Sequence, residues 1–96
     1  MISPVRSAKY LKFVRGQQCA FCVRPASEAH HASRKSGGGG MGIKGCDLLA
    51  APLCSQCHRE YHNRRTVGLL TVNEAQEYIW RAIALSLRAY HIQETA

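Results

Sequence analysis

The longest regular pattern of apolar and polar positions lies in the last third of the chain. Apolar residues recur there every three or four positions, which is typical of one buried face of a helix. Thr71 stands three residues before Glu74, which matches a capping box. We therefore predict a C-terminal helix over residues 69–93, with Tyr78 and Trp80 in the core and base stacking as the alternative for these two residues. The face consists of Ala75, Ile79, Ala82, Leu85 or Ser86, and Ala89.

A second helix is predicted near the start, within residues 1–18. Ser3 and Pro4 are a favourable helix start, and Gly16 is a favourable end. Cations recur every third residue on this segment, which would form a basic ridge suited to phosphate contacts. A solvated helix face is the alternative. The apolar positions are Val5, Leu11 and Val14, and the ridge consists of Arg6, Lys9, Lys12 and Arg15.

The middle of the chain predicts short strands around a glycine-rich loop. Residues 28–32 and 47–53 are short enough for strands, the second ending at Pro52, and residues 36–45 contain too many glycines for a packed element. Alternation along the first strand would place His30 and His31 on opposite faces. A helix is expected to begin at His58. The prediction is one small α+β domain over residues 1–96, with its core in residues 19–65.

Two C-x2-C pairs are the strongest chemical signal. Each turn places two thiolates close enough to chelate one ion, and two such pairs complete a tetrahedral zinc site. The spacing between the pairs exceeds that of an ordinary zinc ribbon, so an insert must separate the two knuckles. The fifth cysteine, Cys46, is left over. The predicted ligands of the structural zinc are Cys19, Cys22, Cys54 and Cys57.

Composition indicates the cellular compartment in which the protein acts and the kind of molecule that it binds. An odd number of cysteines argues against a closed disulfide framework, and no stretch reads as a signal peptide or a membrane span. A reduced, cytoplasmic setting with metal-bound thiolates is expected. The net charge of +7 indicates a polyanionic binding partner. The alternative is that the excess of Lys and Arg only keeps a small domain soluble. Arg34, Lys35 and Lys44 would add cations around the glycine-rich loop.

His58 and His62 form an H-x3-H pair directly after the second knuckle. Residues four apart share one face of a helix, so these two imidazoles could bind a second ion. The dense stretch of residues 54–62 thus predicts two metal sites in immediate succession.

Three segments together resemble the HNH endonuclease domain, in particular small HNH proteins of phages and prophages, including recombination-associated nucleases. They are residues 28–31 with the double histidine, residues 39–48, and residues 52–62 with the knuckle and H-x3-H pair. The resemblance spans roughly residues 19–62. It implies a β-hairpin followed by a helix that together bind one catalytic metal, with a zinc knuckle bracing this core.

The resemblance also implies roles for individual residues. His31 matches the general base, and His30 precedes it where many members have an aspartate ligand. His58 matches the closing histidine ligand, and His62 would join it one turn later. Asp47 replaces the usual asparagine that positions the base. Arg34 is expected to contact the scissile phosphate.

An all-imidazole site favours zinc or nickel, whereas Asp47 as a ligand would favour manganese or magnesium. The expected partner is DNA, with RNA as an open alternative, and the chain is expected to act as a monomer or homodimer away from membranes. A non-catalytic zinc-knuckle module that binds nucleic acid is the alternative function. A zinc-stabilised adaptor that binds proteins through the C-terminal helix is a third possibility.

Overall fold

The computed structural model describes residues 5–32 and 46–96. This part of the chain is a small α+β domain with a two-stranded antiparallel sheet and three α-helices. In chain order the elements are α1 (Ala8–Arg15), β1 (Glu28–His31), a 3₁₀ helix (Asp47–Leu49), β2 (Ala50–Leu53), α2 (Ser55–Arg64) and α3 (Val72–Thr95).

The register of the sheet places Glu28 opposite Leu53 and His31 opposite Ala50. The second strand starts later than predicted, because residues 47–49 form the 3₁₀ helix, and it continues through Pro52 instead of ending there. Proline is tolerated at this position because its carbonyl accepts a hydrogen bond from the Ala20 N–H on the side away from β1, at 2.9 Å. The missing N–H therefore removes no bond from the sheet.

Helix α1 begins at Ala8, not at the predicted Ser3 and Pro4, which lie outside the described residues. The Ser7 hydroxyl caps it by accepting the Tyr10 N–H at 3.1 Å, and Gly16 ends it as predicted. Tyr10 and Val14 are buried, whereas Val5 is 41% exposed. The predicted apolar stripe began one turn too early, because residues 5–7 were expected to be helical and lie before α1.

Helix α3 confirms the predicted C-terminal helix, including both hydrogen bonds of the Thr71–Glu74 capping box. Its buried face holds Ile83, and Ser86 rather than Leu85. The prediction that Tyr78 and Trp80 are core residues is wrong, since they are 39% and 38% exposed. A helix of 24 residues is far longer than the four-residue strands it packs on, so the small sheet covers only one narrow face of it.

Two apolar clusters hold the elements together. The larger cluster joins β2, α2 and α3 through Leu53, Tyr61 and Ile79, and it includes three of the cysteines. The smaller cluster packs Tyr10 of α1 against Ala50 of β2. Strand β2 thus takes part in both clusters, through Leu53 in the larger one and Ala50 in the smaller one. Among the described residues no helix is long and apolar enough to cross a membrane.

Candidate metal centres and active site

The four predicted zinc ligands converge, as their spacing predicted. One sulfur from each of Cys19, Cys22, Cys54 and Cys57 lies within 4.8 Å of the other three. The Cys22 and Cys54 sulfurs are 3.7 Å apart, close to the roughly 3.8 Å expected between thiolates on a tetrahedral zinc ion. The cluster can therefore hold a metal such as zinc.

Local backbone geometry prepares these thiolates for a cation. The Cys57 N–H points at the Cys54 sulfur and the Phe21 N–H points at the Cys19 sulfur, both at 3.5 Å. Burial alone would raise the pKa of the Cys54 thiol, but the Cys57 N–H and the neighbouring thiols lower that pKa to about 7. Cys54 is also the N-cap of α2, so the helix starts three residues before the predicted His58. The knuckle and the start of α2 are one structural unit.

His31 and Asp47 form a hydrogen-bonded pair on one side of the sheet. His31 Nε2 lies 2.7 Å from Asp47 Oδ1, and Oδ2 accepts the Ser7 N–H at 2.7 Å. Burial opposes ionisation of Asp47, but hydrogen bonds from His31 and Ser7 and the charges of His31 and Arg6 hold its pKa below the usual value. Because an ionised carboxylate only accepts, the ring nitrogen of His31 that faces Asp47, Nε2, carries a proton, and in the neutral imidazole the lone pair is then on Nδ1.

His30 and His58 meet on the other side of the sheet. His30 Nδ1 lies 3.2 Å from His58 Nε2, and His58 Nδ1 lies 2.6 Å from Glu28 Oε1. The His30 ring also packs edge-on against Tyr61, with 5.3 Å between centroids. Burial, reinforced by the nearby cations, lowers the pKa of His30 to about 4, so it is neutral at neutral pH. His30 and His31 are neighbours on β1 but belong to two separate side-chain pairs, as alternation along the strand predicted.

The spacing of the His30–His58 pair suits either an N–H···N hydrogen bond between the rings or two ligands of one ion. Two imidazole nitrogens on a tetrahedral ion lie about 3.3 Å apart, close to the observed 3.2 Å. Glu28 supports this fit, because a carboxylate that holds one ring N–H leaves the other nitrogen as a lone-pair donor. Sequence reasoning assigned Glu28 no role. Its position two residues before His30 on the same strand face was the signal that could have found it.

His62 does not complete a three-residue group with this pair. Within residues 5–32 and 46–96, the cysteine cluster is the only set of three or more potential ligands that all lie within 4.8 Å. His62 is close enough that its charge contributes to lowering the pKa of His30. Its role as a ligand stays a prediction.

The predicted basic residues are distributed unevenly. Arg6 lies before α1 and contacts Asp47 at 3.7 Å, while Lys9 pairs with Glu94 on α3. Lys12 and Arg15 are exposed on α1. The ridge therefore does not form as a uniform row. Arg34, Lys35 and Lys44 lie outside the described residues, so the predicted phosphate contact of Arg34 stays a prediction.

Comparisons with known proteins give the following relatives. Residues 3–67 match the model of a family described as "Protein of unknown function (DUF968)". The chain is also similar to a protein of Escherichia coli K12 described as "Uncharacterized protein YdfU", with 46% identity over 54 residues. That match covers 56% of this chain and 15% of the relative, so the chain corresponds to a small part of that protein. No solved structure matches the chain.

Proposed function

This chain belongs to the DUF968 family, and we propose that it is a metal-dependent endonuclease of the HNH type that hydrolyses DNA phosphodiester bonds. One observation carries the proposal. His31, oriented by Asp47, directly follows His30, which meets His58 in a pair with metal-ligand spacing. An oriented base and a divalent-ion site, carried by adjacent residues of β1, are the groups that phosphodiester hydrolysis needs.

His31 is the general base in this proposal. Its Nδ1 lone pair takes a proton from the water that attacks the phosphorus atom, while Nε2–H stays bonded to Asp47. Asp47 keeps the ring in the correct tautomer and stabilises the imidazolium that forms. The Ser7 N–H fixes the second carboxylate oxygen, so the carboxylate has one settled orientation.

His30 and His58 hold the divalent ion, with Glu28 orienting His58. An ion bound there would stabilise negative charge on the phosphate oxygens and the leaving group. Nitrogen ligands favour zinc or nickel, and manganese or magnesium would need oxygen ligands in addition. His62 stands one turn after His58 on α2 and is the proposed further ligand.

The cysteine-bound zinc has a structural task in this proposal. Cys54 caps α2 and its carbonyl accepts the His58 N–H at 2.9 Å, so the knuckle sets the position of His58. The chain's net charge of +7 supports DNA as the substrate, with RNA as an alternative. We place the activity in the cytoplasm of a bacterial or phage-infected cell, where the thiolates stay reduced.

A non-catalytic nucleic-acid-binding zinc module is the second candidate. The four-cysteine cluster and the positive charge favour it as much as they favour a nuclease. A binding module, however, gives no reason for the buried Asp47 carboxylate to orient His31, or for His30 and His58 to form a pair. The two candidates differ in whether His31 matters to anything except binding.

Plasmid nicking by purified protein loaded with zinc, nickel, manganese or magnesium tests the proposal. We expect the wild type to nick DNA and His31→Ala to nick about 10²- to 10⁴-fold more slowly, with DNA affinity unchanged. His91→Ala, at an exposed position of α3, is the matched control and should keep the wild-type rate. A metal-loaded wild type that binds DNA and never cleaves it would refute the endonuclease and leave the binding module.

A further inference from the structure

A cavity of about 350 Å³ lies between residues 17–20, β2 and α3. This volume is at the lower end of the roughly 300–1,000 Å³ that is usual for small-ligand sites. Pro52 of β2 lines the cavity and follows Ala51, the sheet partner of His30. We propose that this cavity binds the base of one unpaired nucleotide of a DNA molecule. The inference rests on the proposed DNA partner, not on hydrolysis, and adds a second binding site to the chain.

A buried hydroxyl without a partner faces the cavity. Ser86 is only 3% exposed and lines the cavity. Its hydroxyl takes part in no hydrogen bond among the described residues. Among the same residues, the Tyr10 hydroxyl is the only buried side-chain polar atom that has neither a partner nor contact with solvent. The Ser86 hydroxyl is therefore open to the cavity and available to a ligand.

Tyr78 forms an aromatic wall of the cavity. Phe21 of the first knuckle stacks on its ring, with 6.0 Å between the centroids and 15° between the ring planes. The Arg81 guanidinium, which also lines the cavity, lies 5.8 Å from the centroid of the Tyr78 ring. Bases stack both on aromatic rings and on guanidinium planes, so this pair offers a stacking surface. Base stacking thus explains why Tyr78 stays 39% exposed instead of entering the core.

Two neighbouring glutamines supply acceptors for the edge of a base. The Gln17 side-chain amide donates to the Phe13 carbonyl at 3.4 Å, and that of Gln18 donates to the Cys22 carbonyl at 3.3 Å. Each amide thus uses its NH₂ group within the protein, and no described residue donates to its oxygen. These oxygens suit the exocyclic amino group that adenine, cytosine and guanine carry.

The charge around the cavity favours a base over a phosphate group. Among the described residues that line it, Arg81 is the only Lys, Arg, Asp or Glu, and Glu77 pairs with its guanidinium at 3.3 Å. Cys19 also lines the cavity, and a zinc ion on four thiolates carries a net negative charge, which disfavours a phosphate. The apolar lining consists of Ala20, Pro52, Ala82 and Leu85. Such a lining suits a neutral, flat base. A base that is paired and stacked in a duplex cannot enter, so the bound nucleotide must be unpaired.

Fluorescence anisotropy with labelled DNA tests the assignment. The zinc-loaded protein carries His31→Ala so that the DNA stays intact. Three probes share one sequence: a perfect duplex, the same duplex with one extra unpaired adenine, and the same duplex with an abasic nucleotide in place of that adenine. We expect the unpaired adenine to be bound about 10-fold more tightly than the perfect duplex. The abasic probe should lie within about twofold of the perfect duplex, because it has the extra phosphate without the base.

Substitutions in this background assign the preference to the cavity. Tyr78→Ala should reduce the preference for unpaired adenine to about twofold or less, and Tyr78→Phe should keep most of it. Trp80→Ala is the matched control, because Trp80 is an equally exposed aromatic residue of α3, at 38%, and does not line the cavity. Ser86→Ala removes only the hydroxyl and should lower the preference about threefold. Metal analysis and Tm establish that each variant keeps its zinc and its fold.

The possible outcomes separate this inference from the proposed hydrolysis. Equal affinity for the adenine and abasic probes overturns the cavity site, and so does a preference that Trp80→Ala removes and Tyr78→Ala keeps. If Tyr78→Ala loses its zinc, Ser86→Ala decides, and an unchanged preference in that variant overturns the site. A preference for adenine in a protein whose wild type never nicks DNA removes the hydrolysis alone. A protein that binds none of the probes overturns both proposals.

Discussion

Replacing Asp47 by asparagine would probe the connection between the fold and the proposed catalysis. Asp47 is 5% exposed, and its carboxylate accepts two hydrogen bonds of 2.7 Å, from the Ser7 N–H and from His31 Nε2. An asparagine side chain has nearly the same shape but offers one oxygen acceptor and one NH₂ donor. It can therefore keep both contacts only if the imidazole proton of His31 moves from Nε2 to Nδ1.

The expected loss of stability follows from those two bonds. A hydrogen bond to a charged group contributes about 1.5–3 kcal/mol and a neutral one about 0.5–1.5 kcal/mol. Changing both bonds from charged to neutral should lower the free energy of unfolding by roughly 2 kcal/mol at pH 7. Arg6 adds little, because its contact with Asp47 is 3.7 Å long and its side chain is 47% exposed.

The expected loss of activity is larger than the loss of stability implies. The asparagine oxygen would satisfy the Ser7 N–H, and its NH₂ group would donate to His31 Nε2. The imidazole proton would then move to Nδ1, which removes the lone pair that the proposed base needs. We expect nicking to slow by about 10²- to 10⁴-fold although most of the protein remains folded.

Urea denaturation of the zinc-loaded protein and plasmid nicking measure these two effects on the same samples. Glu94→Gln is the matched control, because it neutralises a more exposed carboxylate and should change neither quantity appreciably. Asp47→Asn protein that is destabilised but nicks at the wild-type rate would show that His31 does not depend on Asp47 for catalysis. Unchanged stability would contradict the two hydrogen bonds themselves.

Two further outcomes are expected. Cys54→Ser should lose the structural zinc, whose binding is worth about 10 kcal/mol in small zinc domains. It should also lose nicking activity because His58 is displaced. The control Cys46→Ser should keep both the zinc and the activity, and metal analysis and plasmid nicking measure the two outcomes. Because folding lowers the pKa of Asp47, its stabilisation is fully present above the unfolded-state pKa of 3.8 and is lost as pH falls through the lower folded-state value. The stability difference between wild type and Asp47→Asn should therefore be constant near neutral pH and shrink below about pH 4, and a difference that grows on acidification would contradict this sign.

Local patterns in the sequence predicted much of the fold. The capping box and the apolar period located α3, and the C-x2-C spacing predicted a four-cysteine cluster that the structure confirms. These features succeed because capping, helical periodicity and chelation by a knuckle depend on residues a few positions apart. Strand alternation also placed His30 and His31 on opposite faces for the same reason.

Contacts between distant segments could not be predicted in this way. The bond from the Ser7 N–H to Asp47 spans 40 residues and that between His58 and Glu28 spans 30, so neither follows from a local pattern. Tertiary packing likewise decided that Tyr78 and Trp80 stay partly exposed, because a four-residue strand cannot cover a helix of 24 residues.

Residues 54–62 show most clearly which features follow from the local sequence and which depend on the tertiary structure. Their sequence alone predicted that a knuckle with two thiolates leads directly into a helix that carries two imidazoles on one face, since both features follow from local spacing. Only the tertiary structure decided that Cys54 and Cys57 meet the other knuckle while His58 meets His30 and Glu28. The reason is physical: ligands for two sites can be adjacent in sequence, but each site is completed by partners that other elements bring to it.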